Sequence, residues 1–251
     1  MPLLVAYSIG NEYEPERTEA YDLGLGGLAM LAITELPSGI SLVTYDKGIL
    51  QRAYTYMANM AEALQSVSPT AAPFPNTPLG LQLQQIARII QVRQQLGVNR
   101  QIFFAGLGNF DTHGNQLETQ APLLQQLSQA VSAFHQATVD LGVGNQVVSF
   151  TMSDFSRAFQ PNSNDGSDHG WGGHHFIVGG AVQGGRIYGS YPTLALGGPN
   201  DSGSNGRWVP TTGAVQYAST LASWFGVPSG SLSSIFPTIR NFKTSNLGFL
   251  S

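Results

Sequence analysis

Residues 101–107 read Gln-Ile-Phe-Phe-Ala-Gly-Leu, and residues 146–152 read Gln-Val-Val-Ser-Phe-Thr-Met. Both are short apolar runs without alternation, which is typical of strands buried on both faces of a sheet. Apolar residues between them recur every three or four positions and predict a helix, with Pro122 in its first turn and Gly142 at its end. This order predicts an α/β fold whose mainly parallel sheet is flanked by helices, with the two strands as a parallel pair.

Outward from this unit, helical spacing of apolar residues predicts two upstream helices, over 47–65 and 79–96. The segment 66–78 holds four prolines and is predicted to be a surface loop or linker that does not divide the chain into domains. We therefore expect a single α/β domain over 1–251. Residues 1–45 suggest short strands and turns, and the first residues fit a strand better than a signal peptide.

Downstream, residues 175–189 are compatible with a hairpin that turns at Gln183-Gly184-Gly185. A last long helix is predicted to be capped by Thr211 or Thr212 and closed by Gly226. A short turn follows around Leu232.

Composition excludes several classes of function. The chain of 251 residues has a net charge of −4 and only 10% charged residues. Lys47 and Lys243 are its two lysines and no basic stripe exists, so nucleic acid is not an expected partner. Cysteine is absent, which excludes disulfides and thiolate chemistry. No apolar run approaches the roughly 20 residues that a membrane helix needs.

Polar side chains follow both predicted strands directly. Asp111 and His113 come just after the first strand, and Asp154 and Arg157 come just after the second. Because ligands bind beyond the carboxyl ends of parallel strands, these side chains are expected at one edge of the sheet. Each aspartate alone is equally compatible with capping a turn, and Arg157 with either pairing Asp154 or holding an anionic substrate group.

A third polar cluster is the glycine-rich stretch 166–175, which carries Asp168, His169, His174 and His175. Imidazole nitrogens together with carboxylate oxygens suit Zn²⁺, Mn²⁺ or Fe²⁺, and Ca²⁺ remains a candidate for the carboxylates. Asp168 and His169 are also compatible with a solvated loop. His174 and His175 face opposite sides of an extended segment, and His174 is preferred as the ligand.

These clusters carry a resemblance. Segments 110–116, 153–157, 166–175 and 179–189 resemble the bacterial family catalogued as domain of unknown function 1501. The resemblance is close over roughly 79–242 and loose over the first 45 residues. That family looks like a branch of the alkaline phosphatase and sulfatase superfamily, and its members are mostly exported, which implies a periplasmic or extracellular location.

The resemblance implies metal ligation by Asp111, His113, Asp154 and His169, with Asp168 and His174 as further candidates. It also implies hydrolysis of a phosphate or sulfate ester. Two departures stand out: Ser156 and Ala158 replace the usual Gly and Thr, and an upstream strand that ends in an acidic residue is not found. We therefore expect a later portion of a longer protein, with an alkaline-phosphatase-like sheet that lacks its first strand or strands.

The leading interpretation is a metal-dependent hydrolase in which a divalent metal activates water against a small-molecule or glycan ester. Asp111, His113, Asp154, His169 and Arg157 are its catalytic candidates. One alternative is a metal-free serine hydrolase using Ser153 or Ser156, although the chain lacks a Gly-x-Ser-x-Gly elbow. Another is an exported, non-catalytic binding or assembly protein with a structural metal site. Homo-oligomerisation is left open.

Overall fold

A computed structural model describes residues 3–9 and 41–251 of the chain, and the prediction for residues 10–40 lies outside the described residues. The strands are β1 (Leu3–Ile9), β2 (Gln101–Leu107), β3 (Val147–Met152), β4 (Ser156–Arg157), β5 (His169–Gly170) and β6 (Ile177–Val178). The α-helices are α1 (Ser41–Gln65), α2 (Pro78–Gln91), α3 (Gln116–Asp140), α4 (Ala214–Phe225) and α5 (Leu232–Ile235). Among these described residues, no helix is long and apolar enough to cross a membrane.

The main sheet has four strands in the order β2-β1-β3-β6. β1 runs parallel to both β2 and β3, with Val5 opposite Phe103 on one side and Ser149 on the other. β6 pairs antiparallel with β3. The expected direct pairing of β2 with β3 is wrong because β1 lies between them. Their carboxyl ends nevertheless meet at one edge of the sheet, since both strands run in the direction of β1.

The core lies on both faces of this sheet. On one face, Leu83 and Ile90 of α2 and Phe134 of α3 pack with Val5 and Val147. On the other face, the cluster joins Val148 and Phe150 of β3 to Leu221 of α4 and to Phe249. Full burial of one such side chain contributes about 1.5–3 kcal/mol, so the two clusters hold β3 between layers of helix, and the first cluster holds β1 against α2 and α3.

The segment between α1 and α2 packs closely against the first of these clusters. Ala72 is buried there, and Phe74 packs against the same core. Thr77 caps α2 by accepting a hydrogen bond from the N–H of Gly80, whose absent Cβ would lie 2.1 Å from the carbonyl oxygen of Pro75. α2 ends at Gln91 and not near Leu96, and turns follow it up to Gly97.

α3 begins at Gln116, so the prediction that Pro122 lies in its first turn is wrong and this proline lies inside the helix. Asn115 precedes the helix with a φ of 46° and makes no side-chain cap. The N–H groups of Asn115 and Gln116 donate instead to the carbonyls of Asn164 and Asp165. The start of α3 is therefore set by a distant loop, which local spacing does not reveal.

Two further predictions fail near the C-terminus. Gly213, and not Thr211 or Thr212, precedes α4, and its N–H donates to the side-chain oxygen of Gln216. Gly226 ends this helix as predicted, with a φ of 107°. The hairpin over 175–189 is wrong, because its only strand among the described residues is β6, which pairs with β3.

Candidate metal centre

Asp111 and His113 follow β2 at the carboxyl edge of the main sheet, and His169 is brought to them by a separate two-stranded ribbon. This ribbon pairs β4 with β5 antiparallel, and it sets Arg157 opposite His169. The Oδ1 atom of Asp111 lies 3.0 Å from Nδ1 of His113 and 2.7 Å from Nε2 of His169. Two clusters that are far apart in sequence therefore converge on one carboxylate oxygen.

This group has the chemistry of a divalent metal site. One ligand atom from each of Asp111, His113 and His169 lies within 4.8 Å of the other two. Bonds of about 2.0–2.2 Å to zinc place neighbouring ligand atoms somewhat over 3 Å apart, so the hydrogen-bonded 2.7 Å contact between Asp111 and His169 would lengthen when a metal binds. Both histidines have 48% of their side chains exposed, and Asp111 has 23%. The set therefore fits a metal that keeps open positions toward solvent, as catalytic zinc sites do.

The guanidinium group of Arg157 is hydrogen-bonded to Asp111 and to the backbone on both sides of the ligand group. Its Nη2 donates to Oδ1 of Asp111 at 3.0 Å and also to the carbonyl oxygen of Phe110, and its Nη1 donates to the carbonyl oxygen of Ser167 at 2.5 Å. Only 15% of its side chain is exposed. The guanidinium thus ties the loop after β2 to the loop before β5 and orients the Asp111 carboxylate between them.

Phe155 supports His169 from the turn between β3 and β4. Its ring stacks on the imidazole with centroids 4.3 Å apart and planes inclined by 19°. The Arg157 guanidinium carbon lies 4.9 Å from the centre of the same ring. An aromatic ring that contacts both a cation and an imidazole restricts the orientation of both.

The loop 162–168 is bonded to the loop that carries Asp111 and His113. The side-chain amide of Asn162 donates to the carbonyl oxygen of His113 at 3.0 Å, and the N–H of Ser167 donates to the carbonyl oxygen of Thr112 at 3.3 Å. A Cβ on Gly166 would lie 2.2 Å from the carbonyl carbon of His113, so only glycine permits this approach. These contacts position His113 and His169 by protein bonds alone.

The pKa of Asp111 lies below its ordinary range. Its hydrogen bond to His169 is the largest cause, desolvation of the carboxyl opposes it, and the Arg157 hydrogen bond and the charges of His113 and His169 lower it further. The carboxylate is therefore ionised throughout the neutral range, which is the form that a metal requires.

Asp154, Asp168 and His174 lie outside this ligand group in the described structure. Asp154 is exposed in the turn after β3. Asp168 accepts a hydrogen bond from the side-chain amide of Asn162 at 3.3 Å, and its other oxygen lies 3.9 Å from Arg207. The exposed His174 ring lies 5.2 Å from that of Tyr191.

His175 is engaged on the far side of β3, where its ring stacks on Tyr217 at 5.5 Å. Desolvation lowers the pKa of His175, and the charge of His174 lowers it further. Burial raises the pKa of Tyr217, whose hydroxyl donates to the carbonyl oxygen of Thr151 at 3.2 Å. This pair therefore packs α4 against β3 and does not join the metal group.

Sequence reasoning missed Asn162 and the stacking role of Phe155. The Asn-Ser-Asn-Asp-Gly composition of 162–166 is a turn signal, and it marks the loop without identifying its partner. Thr112 is buried and accepts a hydrogen bond from the side-chain amide of Gln120 at 2.9 Å. It fixes the ligand loop to α3.

Comparison with known proteins gives a family for this chain. The model of the family described as "Protein of unknown function (DUF1501)" matches residues 49–202, more than half of the chain. The match includes all three members of the ligand group. No curated protein and no solved structure matches.

Proposed function

The chain belongs to the DUF1501 family, and from this premise we propose that it is a metal-dependent hydrolase of phosphate or sulfate esters. The observation that carries the proposal is the convergence of Asp111, His113 and His169, whose ligand atoms lie within 4.8 Å of one another. A divalent metal held there would supply Lewis-acid polarisation of the ester and activation of a water molecule.

The chain's own residues have distinct tasks in this proposal. Asp111 provides the anionic ligand, and His113 and His169 provide imidazole nitrogen ligands beside it. Arg157 orients Asp111, and Phe155 restricts the His169 ring. Ligands that are held by surrounding contacts need little rearrangement when the metal binds, which favours a catalytic geometry.

An alkaline-phosphatase-like arrangement is part of the proposal. Its support is that β1, β2 and β3 run parallel and that Asp111, His113 and Asp154 follow the carboxyl ends of β2 and β3. Ligand sites of open parallel sheets lie at this edge.

The contacts of the serines favour the metal mechanism over a serine hydrolase. The Ser153 hydroxyl donates to the carbonyl oxygen of Phe155, and the Ser156 hydroxyl donates to that of Gly172. Neither bond is to a histidine that would act as a general base. A chelator separates the two mechanisms, because only the metal mechanism loses activity.

A non-catalytic binding protein is the second candidate function. It is favoured by Trp171, which lies two residues after His169 in sequence and has 64% of its side chain exposed. Exposed aromatic rings of this kind stack on sugars and other flat ligands. Tight glycan binding without turnover of phosphate or sulfate esters would favour this candidate.

The test is metal analysis of protein purified without added metal. Inductively coupled plasma mass spectrometry is applied to the unmodified chain and to the Asp111→Ala, His169→Ala and His135→Ala variants. We expect near-stoichiometric metal in the unmodified chain and in His135→Ala, whose histidine lies on α3 outside the ligand group. We expect loss of metal in the other two, with p-nitrophenyl phosphatase or sulfatase activity following metal content. An unmodified chain that binds no metal after soaking contradicts the proposal.

A further inference from the structure

Arg207 faces Asp168, the residue that precedes the candidate ligand His169 in sequence. Its Nη2 lies 3.9 Å from Oδ2 of Asp168, and the two side chains are 45% and 48% exposed. The side-chain amide of Asn162 donates both to Oδ1 of Asp168 and to the carbonyl oxygen of His113. The Asn162 amide thus links the Asp168 carboxylate, which Arg207 faces, to the backbone of the candidate ligand His113.

Arg157 and Arg207 differ in what their guanidinium groups can still bind. Both terminal nitrogens of Arg157 already donate to Phe110, Asp111 or Ser167, and its side chain is largely buried. Arg207 faces Asp168 at a distance longer than a hydrogen bond. An exposed ion pair of this kind contributes at most about 1 kcal/mol to stability. An anion that displaces Asp168 from Arg207 therefore sacrifices little stabilisation.

The backbone around Arg207 is fixed by Asp201. This carboxylate accepts four backbone N–H groups, those of Gly197, Gly203, Gly206 and Arg207. Desolvation acts to raise the pKa of Asp201, but the four donors outweigh it and the pKa lies below its ordinary value. Asp201 is therefore ionised at neutral pH, and its carboxylate holds the backbone of the loop 197–207 in place.

The same loop is bonded to the segment that follows Arg157. The N–H of Phe159 donates to the carbonyl oxygen of Gly206 at 3.1 Å, and the N–H of Gln160 donates to that of Asn205 at 3.0 Å. Gly206 has a φ of 71°, and a Cβ there would lie 2.3 Å from that of Phe159, so the contact requires glycine. These contacts therefore fix the backbone that carries Arg207 and place its side chain opposite Asp168.

We propose that Arg207 binds the tetrahedral oxyanion of the substrate, the phosphoryl or sulfuryl group, and so determines its orientation at the metal centre. This inference rests on the proposed function, because it takes the ester chemistry of that proposal as given. A guanidinium donates two parallel hydrogen bonds to two oxygens of such a group, which an ammonium cannot do. Asp168 keeps the side chain near the site until the anion takes its place.

The experiment measures inorganic phosphate and inorganic sulfate binding by isothermal titration calorimetry, on the purified protein with the metal that it holds. The variants are Arg207→Ala, Arg207→Lys and the control Arg240→Ala, which removes an exposed arginine of the C-terminal region. Loss of two charge-assisted hydrogen bonds should weaken binding at least about tenfold in Arg207→Ala. Arg207→Lys should recover part of the affinity, Arg240→Ala should equal the unmodified chain, and metal content should be unchanged in all.

Equal affinity in Arg207→Ala and the unmodified chain, or no oxyanion binding by the unmodified chain, overturns the inference. Failure of the proposed function gives a different result. In that case the unmodified chain lacks metal or hydrolyses no ester, while the ratio of phosphate affinities between it and Arg207→Ala still decides the role of Arg207.

Discussion

The Nε2 atom of His169 lies 2.7 Å from Oδ1 of Asp111, although 58 positions separate the two residues in sequence. The contact depends on the β4–β5 ribbon, because Arg157 pairs with His169 in register and also bonds to Asp111. The ligand group is thus assembled by contacts between the loop after β2 and the β4–β5 ribbon.

The hydrogen bonds on Asp111 predict a specific dependence of stability on pH. Because its pKa is depressed in the folded chain, the ionised carboxylate stabilises the fold fully above the ordinary carboxyl pKa of about 4. That contribution is lost as the pH falls through the depressed value. Urea unfolding of metal-free protein should therefore show Asp111→Asn to be less stable at pH 5–7, with a difference that shrinks only below about pH 4.

The control for this prediction is Asp154→Asn, which changes an exposed aspartate near the same edge of the sheet. Its difference from the unmodified chain should stay small across the same pH range. A destabilisation by Asp111→Asn that grows as the pH falls would contradict the assignment, since the sign of the linkage would be reversed.

Part of this arrangement could be predicted from the sequence. The apolar runs predicted β2 and β3 to within a residue, and the segments after those strands and the 166–175 stretch contain all three members of the ligand group. Strand-end reasoning works here because β2 and β3 run in the same direction and end at the same edge. The first residues also form a strand, as expected, in β1.

Other features depend on pairings that local pattern does not encode. β1 lies between β2 and β3. The sequence does not predict this order, because a short apolar run is compatible with either neighbour. The sequence offered Asp154 as a partner for Arg157, whereas the structure pairs Arg157 with Asp111. That pairing depends on how the loop after β2 and the β4–β5 ribbon meet in the folded chain, which local sequence does not specify.

Substitution of Arg157 by lysine should weaken both the fold and the metal site. A single ammonium cannot reach Asp111, Phe110 and Ser167 together, so half-buried acceptors lose their donors. We expect a loss of about 1–3 kcal/mol in the free energy of unfolding, measured in urea, and weaker metal binding by titration. Arg240→Lys is the matched control and should change neither quantity. Unaltered stability and metal affinity in Arg157→Lys would show that the guanidinium contacts do not matter.

The approach of the two ligand loops is tested at Gly166. An alanine Cβ there would lie 2.2 Å from the carbonyl carbon of His113, so the loop 162–168 must move away and take Ser167 with it. We expect a destabilisation of about 1–3 kcal/mol, as for other overpacked sites, and a lower metal affinity. Gly184→Ala is the control, because a Cβ at Gly184 meets no atom within 4 Å. If calorimetry finds Gly166→Ala and Gly184→Ala alike in melting temperature and metal affinity, the loops do not pack as described.

The contacts around the ligand group also predict how the protein responds to metal removal. Asn162, Arg157 and Ser167 join the two ligand loops by protein hydrogen bonds, so chelation should leave the protein folded, with a circular dichroism spectrum close to that of the loaded form. Returning metal should raise the melting temperature, since a ligand at about 100 times its Kd adds roughly 2.7 kcal/mol to stability.

His113→Ala should abolish this rise in melting temperature, because it removes one of the three ligand atoms. His174→Ala should keep the rise, because that ring lies against Tyr191, outside the ligand group. Unfolding on chelation would instead make the metal a part of folding, and loss of the rise in His174→Ala would place that histidine among the ligands.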